Sequence, residues 1–255
     1  MKVSPRPTAG FSLIELLTVI TIIGILAAII IPSMGGARDS AQRAVDSSNL
    51  SEIGKAAMLY STANRDALPN PTQTSRTIGG TNQAYWQWFG QIARFGGLND
   101  PTLFVSKLDD AIDPNALPLT VLDPDVTTPP TLHPDLTALP TLSWNVVAGL
   151  RAGDPPTTPI AFTRGLRTDG TWSGEGTADD DPNRGPYGDA GGFIVFLGGN
   201  VEFFASIEDR LVSNTGRPTS NLRQAVPNRS TVRILGMDSG NGVASPNGTS
   251  ALQGP

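Results

Sequence analysis

The sequence predicts an α+β fold in which a long N-terminal helix packs on a small antiparallel sheet. The first 66 residues combine one long apolar run with helix-forming residues, several of them apolar at spacings of three and four. In the second half of the chain, short apolar runs alternate with glycine-rich turns, which is typical of antiparallel strands. Residues 67–235 are therefore expected to form one globular domain, and the apolar-poor residues 236–255 are expected to form a flexible tail.

Composition excludes several functions before any motif is considered. The 255 residues carry a formal net charge of −5 and contain no cysteine. An acidic chain is not drawn to phosphate backbones, so no nucleic acid is expected as a partner. Disulfides and thiolate metal sites need cysteine, and a zinc site needs three or four suitable ligands, of which the chain offers one histidine, His133. No Ser or Cys arrangement around His133 suggests a catalytic set. The sequence therefore predicts neither an enzyme nor a cofactor-binding protein.

The N-terminus predicts a helix that crosses the membrane once. Residues 1–10 carry Lys2 and Arg6 without an acidic residue, so this end is expected to stay in the cytoplasm. Residues 11–32 form the predicted transmembrane helix, because about 20 apolar residues span a bilayer and Glu15 is the only charge in residues 11–31. The globular domain is then expected on the outer side of the inner membrane.

A cleaved secretory signal peptide is the simpler alternative for this segment, with Gly35, Gly36 and Ala37 as a small-residue cleavage site. The apolar run is longer than the core of an ordinary signal peptide, which has about 7–15 residues. A carboxylate at mid-bilayer also costs about 2.5–3.5 kcal/mol, so Glu15 indicates a function in the membrane with a partner to be named.

Residues 33–66 are predicted to continue the helix outside the membrane as an amphipathic segment. Two apolar stripes are separated by a phase slip of five residues, the first at Ala37, Ala41 and Val45 and the second at Leu50, Ile53, Ala57 and Tyr60. Pro32, Gly35 and Gly36 lie together near the start of this segment, and they predict a break by bending or melting of the helix.

The globular domain is predicted to contain one short helix and at least four strands. Tyr85, Trp88, Ile92 and Phe95 recur at helical spacing before Gly96, and core packing is the favoured interpretation of the tryptophans there. Between residues 109 and 142 the proline-rich sequence predicts a surface loop region. The predicted strands are residues 142–148, 159–163, 193–197 and 201–205, and the Gly198-Gly199-Asn200 turn joins the last two as a hairpin.

The N-terminal stretch AGFSLIELLTVITIIGILAAIIIP resembles the start of type IV prepilins and type II secretion pseudopilins. Gly10 lies before the cleavage point of that family, Phe11 follows it, and Glu15 is the fifth mature residue. Gly24 and Pro32 also match positions common in such helices. The resemblance implies cleavage after Gly10 by a prepilin peptidase that also methylates the new amine of Phe11. It further implies a homopolymer formed through the N-terminal helices, in which Glu15 pairs with the Phe11 amine of a neighbour.

The same resemblance implies a structural subunit, assembled by secretion or pilus machinery into a periplasmic pseudopilus or a surface filament of the type IV pilus kind. The alternative is a minor or tip-located adhesive or binding subunit, for example one that takes up DNA. The sequence GGFIVFLGGNVEFF resembles the closing hairpin of many pilin-like proteins, although the usual Asp-Gly-His-Val turn is absent.

Two charged segments leave alternatives open. An acidic run could supply oxygen ligands to calcium, as some major pseudopilins do in a C-terminal loop, but its spacing does not match an EF-hand, and a solvated loop is favoured. Its carboxylates are Asp179, Asp180, Asp181 and Asp189. Five arginines between residues 210 and 237 either neutralise the acids of residues 169–189 or form a DNA-contacting patch.

Overall fold

The computed structural model describes residues 12–71, 78–80, 83–173, 184–208, 210–237 and 244–251. The chain divides into two compact units, Met1–Arg43 and Ala44–Pro255. The described residues of the first unit are mainly the N-terminal part of a long helix, and the second unit holds the rest of that helix with the α+β domain. The α+β class predicted from the sequence is confirmed.

Helix α1 spans Leu13–Thr62, so it begins two residues after the predicted start at residue 11 and ends four residues before the predicted end at residue 66. Its backbone stays helical across Pro32, Gly35 and Gly36, so the melting expected at these residues is wrong. The physical reason is that helix propagation is cooperative, and good helix formers on both sides outweigh the hydrogen bond that proline removes. A bend there stays a prediction.

The second stripe of α1 packs on the domain, as its spacing predicts. Leu50, Ile53, Ala57 and Tyr60 are all buried. A Cβ added at Gly54 would lie 2.9 Å from Val195 Cγ2, so the helix backbone closely approaches the sheet at this glycine. Val45 of the first stripe is 48% exposed, and it therefore does not belong to the core of this domain.

Six antiparallel strands form the sheet, in the order β10-β9-β3-β4-β5-β6. Strands β3 and β4 span Trp144–Ala148 and Pro159–Thr163, β5 and β6 span Gly192–Phe196 and Val201–Phe204, and β9 and β10 span Arg233–Met237 and Ala244–Ala251. The first four agree with the predicted strands to within two residues, and β5 and β6 form the predicted hairpin. Strand β10 falls in the segment that the sequence predicts as a tail, whose flexibility stays a prediction.

Helix α2, Ala84–Phe95, lies against α1 and ends at the predicted glycine, where the Gly96 N–H donates to the Ile92 carbonyl. The Phe95 and Tyr60 rings meet edge to face, with centroids 5.9 Å apart. Trp86 and Trp88 are both buried in the core. Core packing is therefore the correct interpretation of these tryptophans.

The proline-rich region is more structured than predicted. It contains the 3-10 helix Pro114–Ala116, a hairpin of β1 (Leu122–Thr127) with β2 (Pro130–Leu132), and the short helix α3 (Pro134–Ala138). Val121, Leu132 and Leu136 from this region are buried in the core, so its description as surface loop is wrong. Short turns and 3-10 segments can bury apolar side chains without the periodicity on which sequence patterns depend. A separate short hairpin pairs β7 (Leu211–Val212) with β8 (Pro218–Thr219).

Candidate functional site: the N-terminal helix

The described chain begins one residue after the predicted cleavage point. Gly10 and Phe11 lie outside the described residues, and Ser12 is the residue before α1. Glu15 is the third residue of the helix, and its Oε2 atom accepts a 2.9 Å hydrogen bond from the Ser12 N–H. Since helix N-termini leave their first N–H groups without intrahelical acceptors, this bond satisfies one of them.

The Ser12–Glu15 bond is half of a capping box, in which a Ser at the helix cap is followed three residues later by Glu. The Ser-x-x-Glu pattern that marks such a cap is present in the sequence, so this bond could have been predicted from it. Glu15 therefore has a role within its own helix as well as the role that the family resemblance implies. Its Oε1 atom accepts no hydrogen bond from the described residues, which leaves capacity for a further donor.

The helix surface that follows Glu15 is apolar on every side. Leu13–Ile31 has the length and composition to cross a membrane, and none of this segment is buried within the chain. A helix that is apolar all round needs an apolar environment, either lipid or other helices.

The hydroxyls within this segment are satisfied locally. The Thr18 hydroxyl donates to the Glu15 carbonyl at 3.0 Å, and the Thr21 hydroxyl donates to the Leu17 carbonyl at 2.7 Å. Glu15 is consequently the one described charge in a surface suited to hydrocarbon.

A buried polar network ties the later part of α1 to the domain. The Asp46 carboxylate accepts hydrogen bonds from the hydroxyls of Ser106 and Tyr187, and all three groups are buried. The Ser143 hydroxyl connects this pair to a second carboxylate, because it accepts from the Ser106 N–H at 2.8 Å and donates to Asp109 at 2.6 Å.

Arg164 completes the network, since its guanidinium donates to Asp109 Oδ1 at 2.6 Å. Because these groups are closed to solvent, the network fixes α1 to the domain and offers no site for substrate. Sequence reasoning did not identify any of these residues.

The structure describes only part of the acidic run that the sequence offers for calcium. Asp179, Asp180 and Asp181 lie outside the described residues, and Asp189 is exposed in the short 3-10 helix Gly188–Ala190, so a calcium site stays a prediction.

Two of the five arginines have intrachain partners that lie outside residues 169–189. Arg210 forms an ion pair with Glu202, and Arg229 forms a bidentate pair with Asp154, with both distances at 2.6 Å. These two ion pairs neutralise the charge of two arginines within the chain, which lowers the positive charge left for a DNA-contacting patch.

The pKa of Asp154 is set by two opposed effects. Burial alone would raise it, but hydrogen bonds from Arg229 and from the Arg151 N–H, together with the Arg229 charge, hold this pKa below its ordinary value. The pair with Arg229 is therefore formed at neutral pH.

Comparison with known proteins agrees with the N-terminal site. A model of the prokaryotic N-terminal methylation motif matches residues 5–31, which include Gly10, Phe11, Glu15 and the apolar part of α1. No match was found among curated proteins or among solved structures. The motif, and the one helix among the described residues that is long and apolar enough to cross a membrane, fit a protein anchored in the membrane by one span. The chain thus carries the prokaryotic N-terminal methylation motif at the head of a long helix that continues into an α+β domain, which supports a type IV prepilin-like protein.

Proposed function

We propose that the mature chain is a structural subunit that polymerises through its N-terminal helix into a type II secretion pseudopilus or a type IV pilus-like filament. The observation that carries the proposal is the position of Glu15, a charged residue in the first turn of a helix whose apolar surface is bare on all sides. A desolvated carboxylate gains most from pairing with a cation. Processing at the methylation motif, residues 5–31, would supply that cation as a new N-terminal amine.

Processing creates that cation. Cleavage after Gly10 by a prepilin peptidase frees the amine of Phe11, which stays cationic near neutral pH, and methylation keeps its charge. In the filament, the amine of one subunit pairs with Glu15 of its neighbour and sets the register between the helices. Loss of one partner of a buried pair costs about 3–5 kcal/mol, which is ample to shift a polymerisation equilibrium.

The first test is the mature N-terminus. Intact-mass and N-terminal peptide spectrometry of the chain from the membrane should give a start at Phe11 with a methylated amine. A bulky side chain in place of Gly10 should leave the leader attached. A mature start at Arg38, after Gly36 and Ala37, would support the signal-peptide alternative and refute the proposal.

The second test separates the two roles of Glu15. Glu15→Leu removes both the charge and the acceptor for the Ser12 N–H, whereas Glu15→Gln removes the charge and keeps an acceptor. Pairing with a neighbouring amine predicts that both variants insert in the membrane at wild-type amounts and that neither forms filaments. Glu52→Gln, on an exposed stretch of the same helix, is the matched control and should assemble normally.

The measurement is the amount of chain in sheared filaments, or the secretion output, relative to the amount in the membrane. Wild-type assembly by Glu15→Gln, with failure of Glu15→Leu alone, would mean that the carboxylate acts only as a helix cap. Wild-type assembly by both variants would show that Glu15 has no part in assembly.

A further inference from the structure

We propose that in the assembled filament the exposed Leu119 of one subunit inserts into an apolar groove beside helix α1 of a second copy of this chain. The inference rests on the proposed function and deepens it, because it adds a contact between globular domains to the contact between N-terminal helices.

The groove lies between the last turns of α1 and the turn that joins β5 and β6. Its volume is about 560 Å³, and its floor is mainly apolar. The floor is formed by Met58 and Leu59 of α1 with Ile160, Phe196 and Leu197 of the sheet region. Leu59 is 55% exposed, so a large apolar side chain of this groove is open to solvent in the single chain.

Leu119 has the properties of a residue that fills such a groove. It is 97% exposed, although Pro118 before it and Val121 after it are both buried. The loop is fixed by a 2.8 Å hydrogen bond from the Thr120 hydroxyl to the Leu122 carbonyl, and by a 3.1 Å bond from the Val121 N–H to the Asn99 carbonyl. An apolar side chain that is held outward by a fixed loop loses little conformational freedom on docking.

The groove and Leu119 are on opposite flanks of α1. Met58 and Leu59 line the groove on one flank. On the other flank, a Cβ added at Gly96 would lie 2.6 Å from the Ala56 carbonyl oxygen, which places the end of α2 there. The loop that holds Leu119 is bonded to Asn99, three residues beyond that glycine.

Because two different surfaces of the same chain meet in this contact, it is heterologous. A contact of this kind repeats from copy to copy and generates a filament when it does not close into a ring. A second copy is therefore the occupant that suits a polymerising subunit.

The charges around the two surfaces are complementary. Along the chain, exposed carboxylates flank Leu119 at Asp110, Asp113 and Asp125, against two exposed cations, Lys107 and the Arg94 that lines one recess with Thr120 and Leu122. At the rim of the groove and beside it, the balance is reversed. Lys55 and Asp66 line the groove, and Arg65, Arg151 and Glu52 lie close to its lining residues along the chain, which together leaves an excess of one positive charge. An acidic loop is thus brought to a rim with an excess of positive charge, which favours the docked orientation.

One leucine in a shallow groove gives weak binding, and the isolated domain should accordingly remain monomeric. In a filament, however, the N-terminal helices hold neighbouring domains together at a high effective concentration, so a weak contact becomes occupied without any change in its own affinity.

The absence of cysteine from the chain allows a direct test by cross-linking. Full-length chains that carry both Leu119→Cys and Leu59→Cys would be expressed in cells that assemble the filament, and then treated with a short bismaleimide. A heterologous contact predicts a ladder of dimers, trimers and higher oligomers from the double variant. Two single variants expressed together, one with each cysteine, should give dimers only.

The matched control joins Leu119→Cys with Asn214→Cys, an exposed residue near the β7–β8 hairpin, and should give at most one-fifth as much cross-linked product. Filaments that assemble normally but give no more ladder than this control would overturn the inference and leave the proposed function intact. A ladder-free dimer from the double variant, or a cross-link only to another protein, would also overturn it. If the wild-type chain forms no filaments at all, the proposed function fails and this contact fails with it.

Discussion

The buried pair of Arg164 and Asp109 offers the sharpest test of what stabilises the domain. Arg164 donates to Asp109, to the Leu142 carbonyl at 3.0 Å, and twice to the Arg184 carbonyl at 3.0 and 2.8 Å. Asp109 also accepts from Ser143 on its other oxygen. Arg164→Met removes the cation and all of these donors, while its side chain stays long enough to fill much of the space.

The cost follows from what the substitution leaves behind. Removal of one partner of a buried ion pair typically costs about 3–5 kcal/mol, because the other charge stays buried without compensation. Each carbonyl that loses its donor adds a desolvation penalty of about 1–3 kcal/mol, partly relieved where water can enter. We therefore expect a loss of about 5 kcal/mol or more from a domain whose total stability is on the order of 5–15 kcal/mol.

Denaturant unfolding of the soluble piece from residue 34 onward would measure this loss as a lower midpoint with an unchanged slope. Lys55→Met is the matched control, because Lys55 pairs with Glu52 on the surface, with 67% of its side chain exposed, and should change stability by less than about 0.5 kcal/mol. In a double-mutant cycle with Asp109→Leu, the double variant should lose at least about 1 kcal/mol less than the sum of the single variants. An Arg164→Met loss no larger than the control, or strictly additive losses, would refute the reasoning.

Three further predictions concern the same soluble piece. Folding lowers the pKa of Asp154, so its pair with Arg229 contributes stability that is complete above the unfolded-state pKa of about 3.9 and is lost as pH falls through the folded-state pKa. In a plot of melting temperature against pH, Arg229→Met should therefore reduce the fall on the acid side. Gly54→Ala should destabilise the domain by about 1 kcal/mol or more, because the added Cβ meets Val195, and this outweighs the better helix propensity of alanine. Gly153→Ala is the control: the space around Gly153 is open, so thermal melting should not show this loss. Light scattering should find a monomer, and a chelator should leave its melting temperature unchanged; a chelator-sensitive melt would instead support calcium binding by the acidic loop.

Local patterns in the sequence were sufficient for elements that carry their own signal. Helix α1 has an apolar run and helical spacing, α2 has aromatic residues at that spacing before Gly96, and the β5–β6 hairpin has its glycine-rich turn. Strand β9 was missed, because its RILGM sequence contains a charge and a glycine and lacks a clear alternation. It becomes a strand through pairing with β3, where Ile234 faces Val147 across more than 80 residues of chain. Non-local pairing of this kind is not visible in a sequence window.

The candidate site divides in the same way. Gly10, Phe11 and Glu15 lie within six residues of each other and could be recognised together, and the Ser12–Glu15 cap was equally readable. The Asp46–Tyr187 contact joins residues 141 positions apart. An aspartate on a polar stretch of helix looks like a solvated residue, and only the folded domain shows that two hydroxyls enclose it.

The phase slip in α1 is explained by the two kinds of surface that this helix presents. If the helix needed only to pack on its own domain, one continuous apolar stripe would be sufficient, and it would be buried along its length. Instead, the stripe that begins at Leu50 is buried, while Val45 and Leu59 remain about half exposed. These two residues are fourteen positions apart, which is about four turns of helix, so they lie on nearly the same outer face. An apolar face that the domain does not cover, on the helix that carries the methylation motif, is the surface that other subunits would be expected to cover in a polymer.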